Sequence, residues 1–308
     1  MNESQRMLAL LNEQFPDIAS LPPARARAVV DARVTPPRNL DDVARTEDHS
    51  VRSGARTVTV RVYFPHAPRT SVPATVYAHG GGFLHGSIAS HDGFCRRWSR
   101  ATASVVVSVE YALAPEHSAP DPTDDMIAAV GWTRAHDWGR RIVVAGDSAG
   151  GNVAASAAVA LAERGDSPLV GQVLIYPMLD PGMSSASYRT RGEGYFITAR
   201  TMEFYWRTYL GGAPADRAAD PLVDPTAAAA AAAVSLPPAI VVTGGLDPLH
   251  DEGRDHAGLL RDRAVPCIYR TYPDQFHGFL TIPEYGPGIA ASALLWADFA
   301  HMFTEEDA

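Results

Sequence analysis

Residues 142–152, Ile-Val-Val-Ala-Gly-Asp-Ser-Ala-Gly-Gly-Asn, constrain the chain more than any other stretch. An apolar run of strand type enters Gly146-Asp147-Ser148-Ala149-Gly150, and an alanine-rich segment, 153–161, leaves it as a helix. Strand, tight turn and helix with a serine at the apex is the G-x-S-x-G nucleophile elbow. The turn strains the serine backbone and lifts its hydroxyl clear of a sheet. Gly146 and Gly150 are expected because a side chain there would collide with the neighbouring strand or helix. The amide of Ala149 opens the helix, where unsatisfied N–H groups can hold an anion. A bare G-x-S-x-G often arises by chance; the flanking strand and helix make this one informative.

Composition narrows the partners. At 308 residues and 46% apolar, the chain has the size and core of an α/β enzyme with insertions. A net charge of -9 argues against nucleic acid or an anionic membrane. All 26 Lys-or-Arg positions are arginine, which excludes a Schiff base, a lysine general base and a P-loop. Cys95 and Cys267 make neither a disulfide framework nor a metal site, and are expected as buried thiols of a cytoplasmic protein. The first residues, Met1-Asn2-Glu3-Ser4-Gln5-Arg6, lack a basic-then-apolar signal pattern. No apolar run reaches the roughly 18 residues of a membrane span. Oligomeric state stays open, a homodimer included.

Along the chain, 4–15 repeats apolar residues at helical spacing behind Ser4 as cap, and 23–33 predicts a second helix. Residues 56–64 alternate as a half-exposed strand, with a partner near 43–48. Residues 74–78 and 105–109 predict buried strands. At least one of the bonds Ala114–Pro115 and Ala119–Pro120 is expected to be cis. Helix 121–138, capped by Asp121 and Thr123, precedes the elbow. After strand 170–176, residues 180–212 break the strand–helix rhythm with an aromatic-rich helix, 201–210. Its Phe204, Tyr205, Trp206 and Tyr209 are either core or the lining of a cap pocket. The seven alanines 227–233 predict a surface helix or loop. Strand 239–243, helix 250–263, strand 268–272 and helix 288–303 complete a largely parallel sheet with helices on both faces.

In such a sheet, reactive residues collect at the carboxyl ends of the strands. Ser148, Asp247 and His277 fall there in the chain order Ser, Asp, His. A hydroxyl needs a base, a histidine can be one near neutral pH, and the base needs an acceptor to fix its tautomer. His277 follows a strand and precedes a glycine. Its rival His79 precedes Gly80-Gly81-Gly82, whose backbone amides can meet a point charge, and is expected to orient that loop. Asp251 and Glu252 suit the first turn of a helix, where they complement its dipole. Asp274 is a nearby alternative acid, and Asp147 is expected to brace neighbouring loops.

His79-Gly80-Gly81-Gly82-Phe83, Glu110-Tyr111-Ala112-Leu113-Ala114-Pro115-Glu116, Gly146-Asp147-Ser148-Ala149-Gly150-Gly151-Asn152, Asp247-Pro248-Leu249 and His277-Gly278-Phe279 stand in order. Together they resemble the bacterial hormone-sensitive-lipase family of esterases, in its Gly-Asp-Ser-Ala-Gly subgroup. The departures are Ala112, where that family often has arginine, and the alanine tract before Leu236. The resemblance implies an α/β-hydrolase fold with a mostly parallel central sheet and a helical cap. Residues 1–45 would supply N-terminal cap helices and 181–212 a cap insertion, with 46–180 and 213–308 as the catalytic domain. It implies an oxyanion hole from the amides of Gly81, Gly82 and Ala149. It also implies cofactor-free hydrolysis of short-to-medium acyl esters. Amide, lactone or carbamate hydrolysis on the same fold, and a non-catalytic small-molecule receptor, are the alternatives.

Overall fold

The computed structural model describes residues 1–165, 167–212 and 222–304. Its centre is an eight-stranded sheet in the order β1-β2-β4-β3-β5-β6-β7-β8. The strands are β1 (Arg45–Ser53), β2 (Arg56–Phe64), β3 (Ala74–Ala78), β4 (Val106–Glu110), β5 (Ile142–Asp147), β6 (Leu169–Ile175), β7 (Ala239–Leu246) and β8 (Cys267–Phe276). β1 and β2 form an antiparallel hairpin, β2 pairs antiparallel with β4, and every later pairing is parallel. The apolar runs of β3 and β5 have a plain cause: both faces of these strands are buried. Val76 and Val144 point into one core cluster, while Tyr77, Val143 and Ala145 point into the other.

Helices α3 (Ile88–Thr102) and α10 (Gly286–Phe303) cover one face; Phe94, Trp98 and Phe299 fill it. Helices α4 (Asp121–Arg134), α5 (Ala149–Glu163), α8 (Pro225–Ala231) and α9 (His250–Asp262) cover the other. The remaining helices are α1 (Glu3–Gln14), α2 (Pro23–Asp31), α6 (Ala186–Thr190) and α7 (Ala199–Leu210). The hydrolase architecture expected from the motifs is the one observed. Segments 213–221 and 305–308 of the expected catalytic domain lie outside the described residues.

Several local expectations need correction. Asn2, not Ser4, caps α1, in a reciprocal box with Gln5. Ser4 is buried and accepts a hydrogen bond from Gln275 at 2.9 Å. Neither Asp121 nor Thr123 caps α4: Pro120 occupies the cap position and has no side-chain acceptor. Asp121 pairs with Arg56 at 2.7 Å, and Thr123 is buried. The helix stops at Arg134, and a short 3-10 turn, Asp137–Gly139, holds Trp138.

β7 runs past the expected stop at Thr243. Gly244-Gly245 does not end it, because these glycines let β8 pass close: a Cβ at either would strike the β8 backbone. The alanine tract forms most of α8, with Asp224 as its cap; Ala228 and Ala229 are buried beside α5 and α9. Both Ala114–Pro115 and Ala119–Pro120 are cis. Cys95 is a buried thiol, as expected, but Cys267 is only partly covered. Among the described residues, no helix is long and apolar enough to cross a membrane.

Candidate active site

β5 delivers Ser148 to the first position before α5, with φ 56° and ψ -120°. Left-handed φ at a serine is strained and persists only where its surroundings enforce it. Here the Ser148 amide donates to the Ile175 carbonyl at 2.9 Å, and its carbonyl accepts from Met178 at 3.0 Å. A Cβ at Gly146 would meet the Gly150 carbonyl, and one at Gly150 the Ala78 carbonyl, so the elbow closes only with glycine at both. Asp247 follows β7, and His277 follows β8. These strands lie on one side of β5 with only β6 between, so their carboxyl ends face a common space.

The three candidates meet there. His277 Nδ1 is 2.8 Å from Asp247 Oδ2, and His277 Nε2 is 2.9 Å from Ser148 Oγ. Asp247 is wholly buried, and its other oxygen accepts from the Leu249 amide at 2.8 Å. With Nδ1–H donated to the carboxylate, Nε2 is free to accept the serine proton. Hydroxyl, imidazole and carboxylate in this chain can generate a nucleophile and return its proton to a leaving group.

The other acids are engaged elsewhere. Asp251 and Glu252 do sit in the first turn of α9, but their bonds reach outward. Asp251 accepts from the Ser187 amide and pairs with Arg254, both at 2.9 Å. Glu252 accepts from the amides of Leu179 at 2.8 Å and Asp180 at 3.2 Å, and from the Tyr188 hydroxyl at 3.2 Å. It anchors the chain where β6 hands over to the insert, and burial raises its pKa well above the usual range. Asp274 is exposed on β8.

The glycine loop after β3 faces the same space. Gly81 and Gly82 have φ 130° and 59°. A Cβ at Gly81 would strike the His85 carbonyl, and one at Gly82 the Tyr205 ring. Among the described residues, the amides of Gly81, Gly82 and Ala149 find no acceptor within the protein. Asp147 braces this loop, as expected. Its carboxylate accepts from the Tyr77 hydroxyl at 2.6 Å and the Gly80 amide at 2.8 Å, with His91 Nε2 3.2 Å away. Burial opposes its ionisation, but His91 and the Tyr77 hydrogen bond hold its pKa below the usual carboxylate range.

His79 sits under the loop. Its Nδ1 is 2.9 Å from the Gly80 carbonyl and its ring stacks on Tyr111. Burial pushes its pKa down to about 3, so it stays neutral and serves packing rather than proton transfer. His85, likewise pushed down to about 3 by burial, meets the Tyr205 hydroxyl at 2.7 Å.

A cavity of about 210 Å³ opens over Ser148 and His277. Its walls are largely apolar and come from distant parts of the chain: Phe15, Val30, Phe196, Met202 and Tyr205. The two expectations for the aromatic helix therefore split by position. Trp206 and Tyr209 are core, packed on Phe83, while Tyr205 faces the cavity. Phe15, Phe196 and His91 were not foreseen. None belongs to a local motif, and only the fold brings them to the serine.

The family model for the alpha/beta hydrolase fold matches residues 75–281. The carboxylesterase NlhH of Mycobacterium tuberculosis is 35% identical over 272 residues, covering 86% of this chain and 84% of its own. An ester hydrolase from the metagenome of Lake Arreo, solved with a bipyridine phosphonate derivative, superposes with a TM-score of 0.88 at 33% identity. That match covers 98% of this chain and 99% of the other. The gibberellin receptor GID1B of Arabidopsis thaliana is 34% identical over 251 residues, 74% of this chain and 68% of its own. The chain belongs to the α/β-hydrolase family, in the hormone-sensitive-lipase group that its motifs resemble.

Proposed function

We propose that the protein is a serine carboxylesterase acting on short-to-medium acyl esters through an acyl-enzyme. Ser148 attacks the ester carbonyl while His277 takes its proton. Asp247 holds the imidazole in the required tautomer and steadies the imidazolium. The amides of Gly81, Gly82 and Ala149 receive the oxyanion, each donor contributing about 3–4 kcal/mol in comparable sites. His277 then protonates the leaving alcohol, and water repeats the sequence on the acyl-enzyme. No step calls for a metal or cofactor.

The observation that carries this function is the unbroken relay from Asp247 through His277 to a serine held at φ 56° beneath a cavity. A cavity of about 210 Å³ favours small substrates. Pockets for drug-sized ligands run to roughly 300–1,000 Å³. We take α1, α2 and residues 181–212 as a cap over it. Asn12 of α1 clamps the insert, and Arg27 of α2 pairs with Glu116 beside the oxyanion loop. Two unpaired cysteines fit a reducing compartment, and we assign the protein to the cytoplasm.

The receptor relative supplies the second reading, in which the cavity binds without turnover. A receptor needs no proton relay, and this chain keeps one. The test is turnover of p-nitrophenyl butyrate by the parent and by Ser148→Ala. Activity lost in a folded variant is expected. Activity within about tenfold of the parent would remove Ser148 from the mechanism, since losing a nucleophile in such relays costs about 10⁶.

A further inference from the structure

A second cavity of about 380 Å³ lies beside the first, between segment 35–39, α3 and the loop after His277. The two share Ser90 and Thr281 as wall residues. Arg97 of α3 lines the second one. Its neighbours on that helix are paired: Arg96 with Asp92 at 3.0 Å, and Arg100 with Asp42 at 2.5 Å. Among the described residues, Arg97 donates no hydrogen bond and joins no ion pair, and its Nε is buried without a partner. Its guanidinium lies 5.6 Å from the centre of the Phe94 ring. Burial lowers its pKa. Asp42, the acid that most opposes this, is already held by Arg100 and Asn39. A partly desolvated cation without an acceptor is costly, and an anion in the cavity would relieve that cost.

The cavity also suits a particular anion. Guanidinium presents a planar fork that matches a carboxylate. Ser90 and Thr281 form the shared wall with their hydroxyls already donated to the Ser87 and Gly278 carbonyls, which leaves Arg97 as the donor, and Phe94 and Pro283 offer apolar surface for a short aliphatic body. Glu284, an acid on the wall, is tied to Arg38 at 2.9 Å. We propose that Arg97 anchors a subsite for a small carboxylate beside the reaction cavity. The carboxylate is either a free acid, such as the product of ester hydrolysis, or a second acid group on the substrate. That last link rests on the esterase function; the anion site itself does not.

The test begins by labelling Ser148 with a phosphonate, verified by mass, so that the reaction cavity is filled. Sodium butyrate is then titrated by calorimetry, at constant ionic strength, into labelled wild type, Arg97→Lys and Arg97→Met of matched melting temperature. Saturable binding in the wild type, weakened about tenfold or more in Arg97→Met and partly kept in Arg97→Lys, is expected. No saturable binding in the labelled wild type, or equal binding by Arg97→Met, overturns the site. Failure to label counts against the esterase function instead, and the titration is then run on unlabelled protein.

Kinetics distinguish the two sources. A fall of about tenfold in kcat/KM for p-nitrophenyl hydrogen succinate relative to p-nitrophenyl butyrate in Arg97→Met places the carboxylate on the substrate. An unchanged ratio with lost butyrate binding places it on the free acid.

Discussion

Ser148, Asp247 and His277 hang from strands of one sheet, whereas the rings that close the cavity above them come from outside it: Phe15 from the end of α1, and Phe196 and Tyr205 from the 181–212 insert. The strand ends are positioned by parallel backbone ladders and buried valines on both faces. The cover is positioned by a few side-chain clamps. Asn12 holds the Gly194 carbonyl and the Phe196 amide, each at 2.8 Å. The Arg200–Asp17 pair, 3.0 Å apart, is exposed on both sides and adds little. In the proposed mechanism the reaction chemistry thus falls to the stiff region, and substrate choice to the region whose geometry a single side chain can change.

The largest effect should come from the stiff side. Asp247→Asn keeps the shape but offers an amide where the imidazole needs a carboxylate, and a comparable exchange costs about 10⁴ in kcat. Asp251→Asn and Asp274→Asn should stay near the parent on the same ester, since neither residue touches His277. If either is the crippled variant and Asp247→Asn is not, the choice of acid is wrong.

Next is Asp147→Asn, which removes the charge between His91 and the oxyanion loop. A fall of about 10–10² in kcat with little change in KM is expected, because a displaced oxyanion donor acts on the transition state. A change in KM alone would move Asp147 out of that role.

A smaller effect, of a different kind, is expected from the cover. Phe15 and Phe196 pack edge to face with ring centres 5.0 Å apart. They stand between the reaction cavity and a third one of about 730 Å³, whose lining is mixed polar and apolar. Phe196→Ala should join the two and raise kcat/KM for decanoate relative to butyrate esters about tenfold, the order of a methylene-scale discrimination. An unchanged ratio would mean that the limit on chain length lies elsewhere.

The smallest effect is on stability. Burial lowers the pKa values of His79 and His85 to about 3 and of His256 to about 4. Below about pH 6.5 the unfolded chain binds protons that the fold refuses. These histidines therefore stabilise the fold at neutral pH, and that contribution is lost as pH falls from about 6.5 toward about 3 for His79 and His85 and about 4 for His256, by up to about 1.4 kcal/mol per pH unit per group. Glu252, its pKa raised by burial, works in the opposite sense. The clean measurement is a difference: urea midpoints at pH 7 and 5 should converge in His256→Gln relative to the parent. An unchanged gap would mean that His256 takes up a proton equally in both states.

The same division governed what the sequence disclosed. Local patterns carried the sheet: apolar runs for doubly buried strands, glycines where backbones approach, and post-strand positions for Ser148, Asp247 and His277. Helix caps were less legible: the Asn2–Gln5 box that starts α1 lies two residues before the serine that the apolar spacing favoured, and Pro120 starts α4 with no side-chain acceptor to mark it. The cover was least legible. Glu252 bonds to Leu179 and Asn12 to Phe196 across long stretches of chain, and no periodicity connects such partners. Within α7, Tyr205 and Trp206 are consecutive, yet one faces the cavity and the other the core.

The central claim is that Ser148 is the nucleophile that carries the acyl group. The most direct measurement is the intact mass of the protein after brief exposure to p-nitrophenyl butyrate and acid quench, followed by peptide mapping. One butyryl adduct on Ser148, absent from Ser148→Ala and persisting longer in Asp247→Asn, is the predicted result. Turnover of the ester with the acyl group on another residue would contradict it.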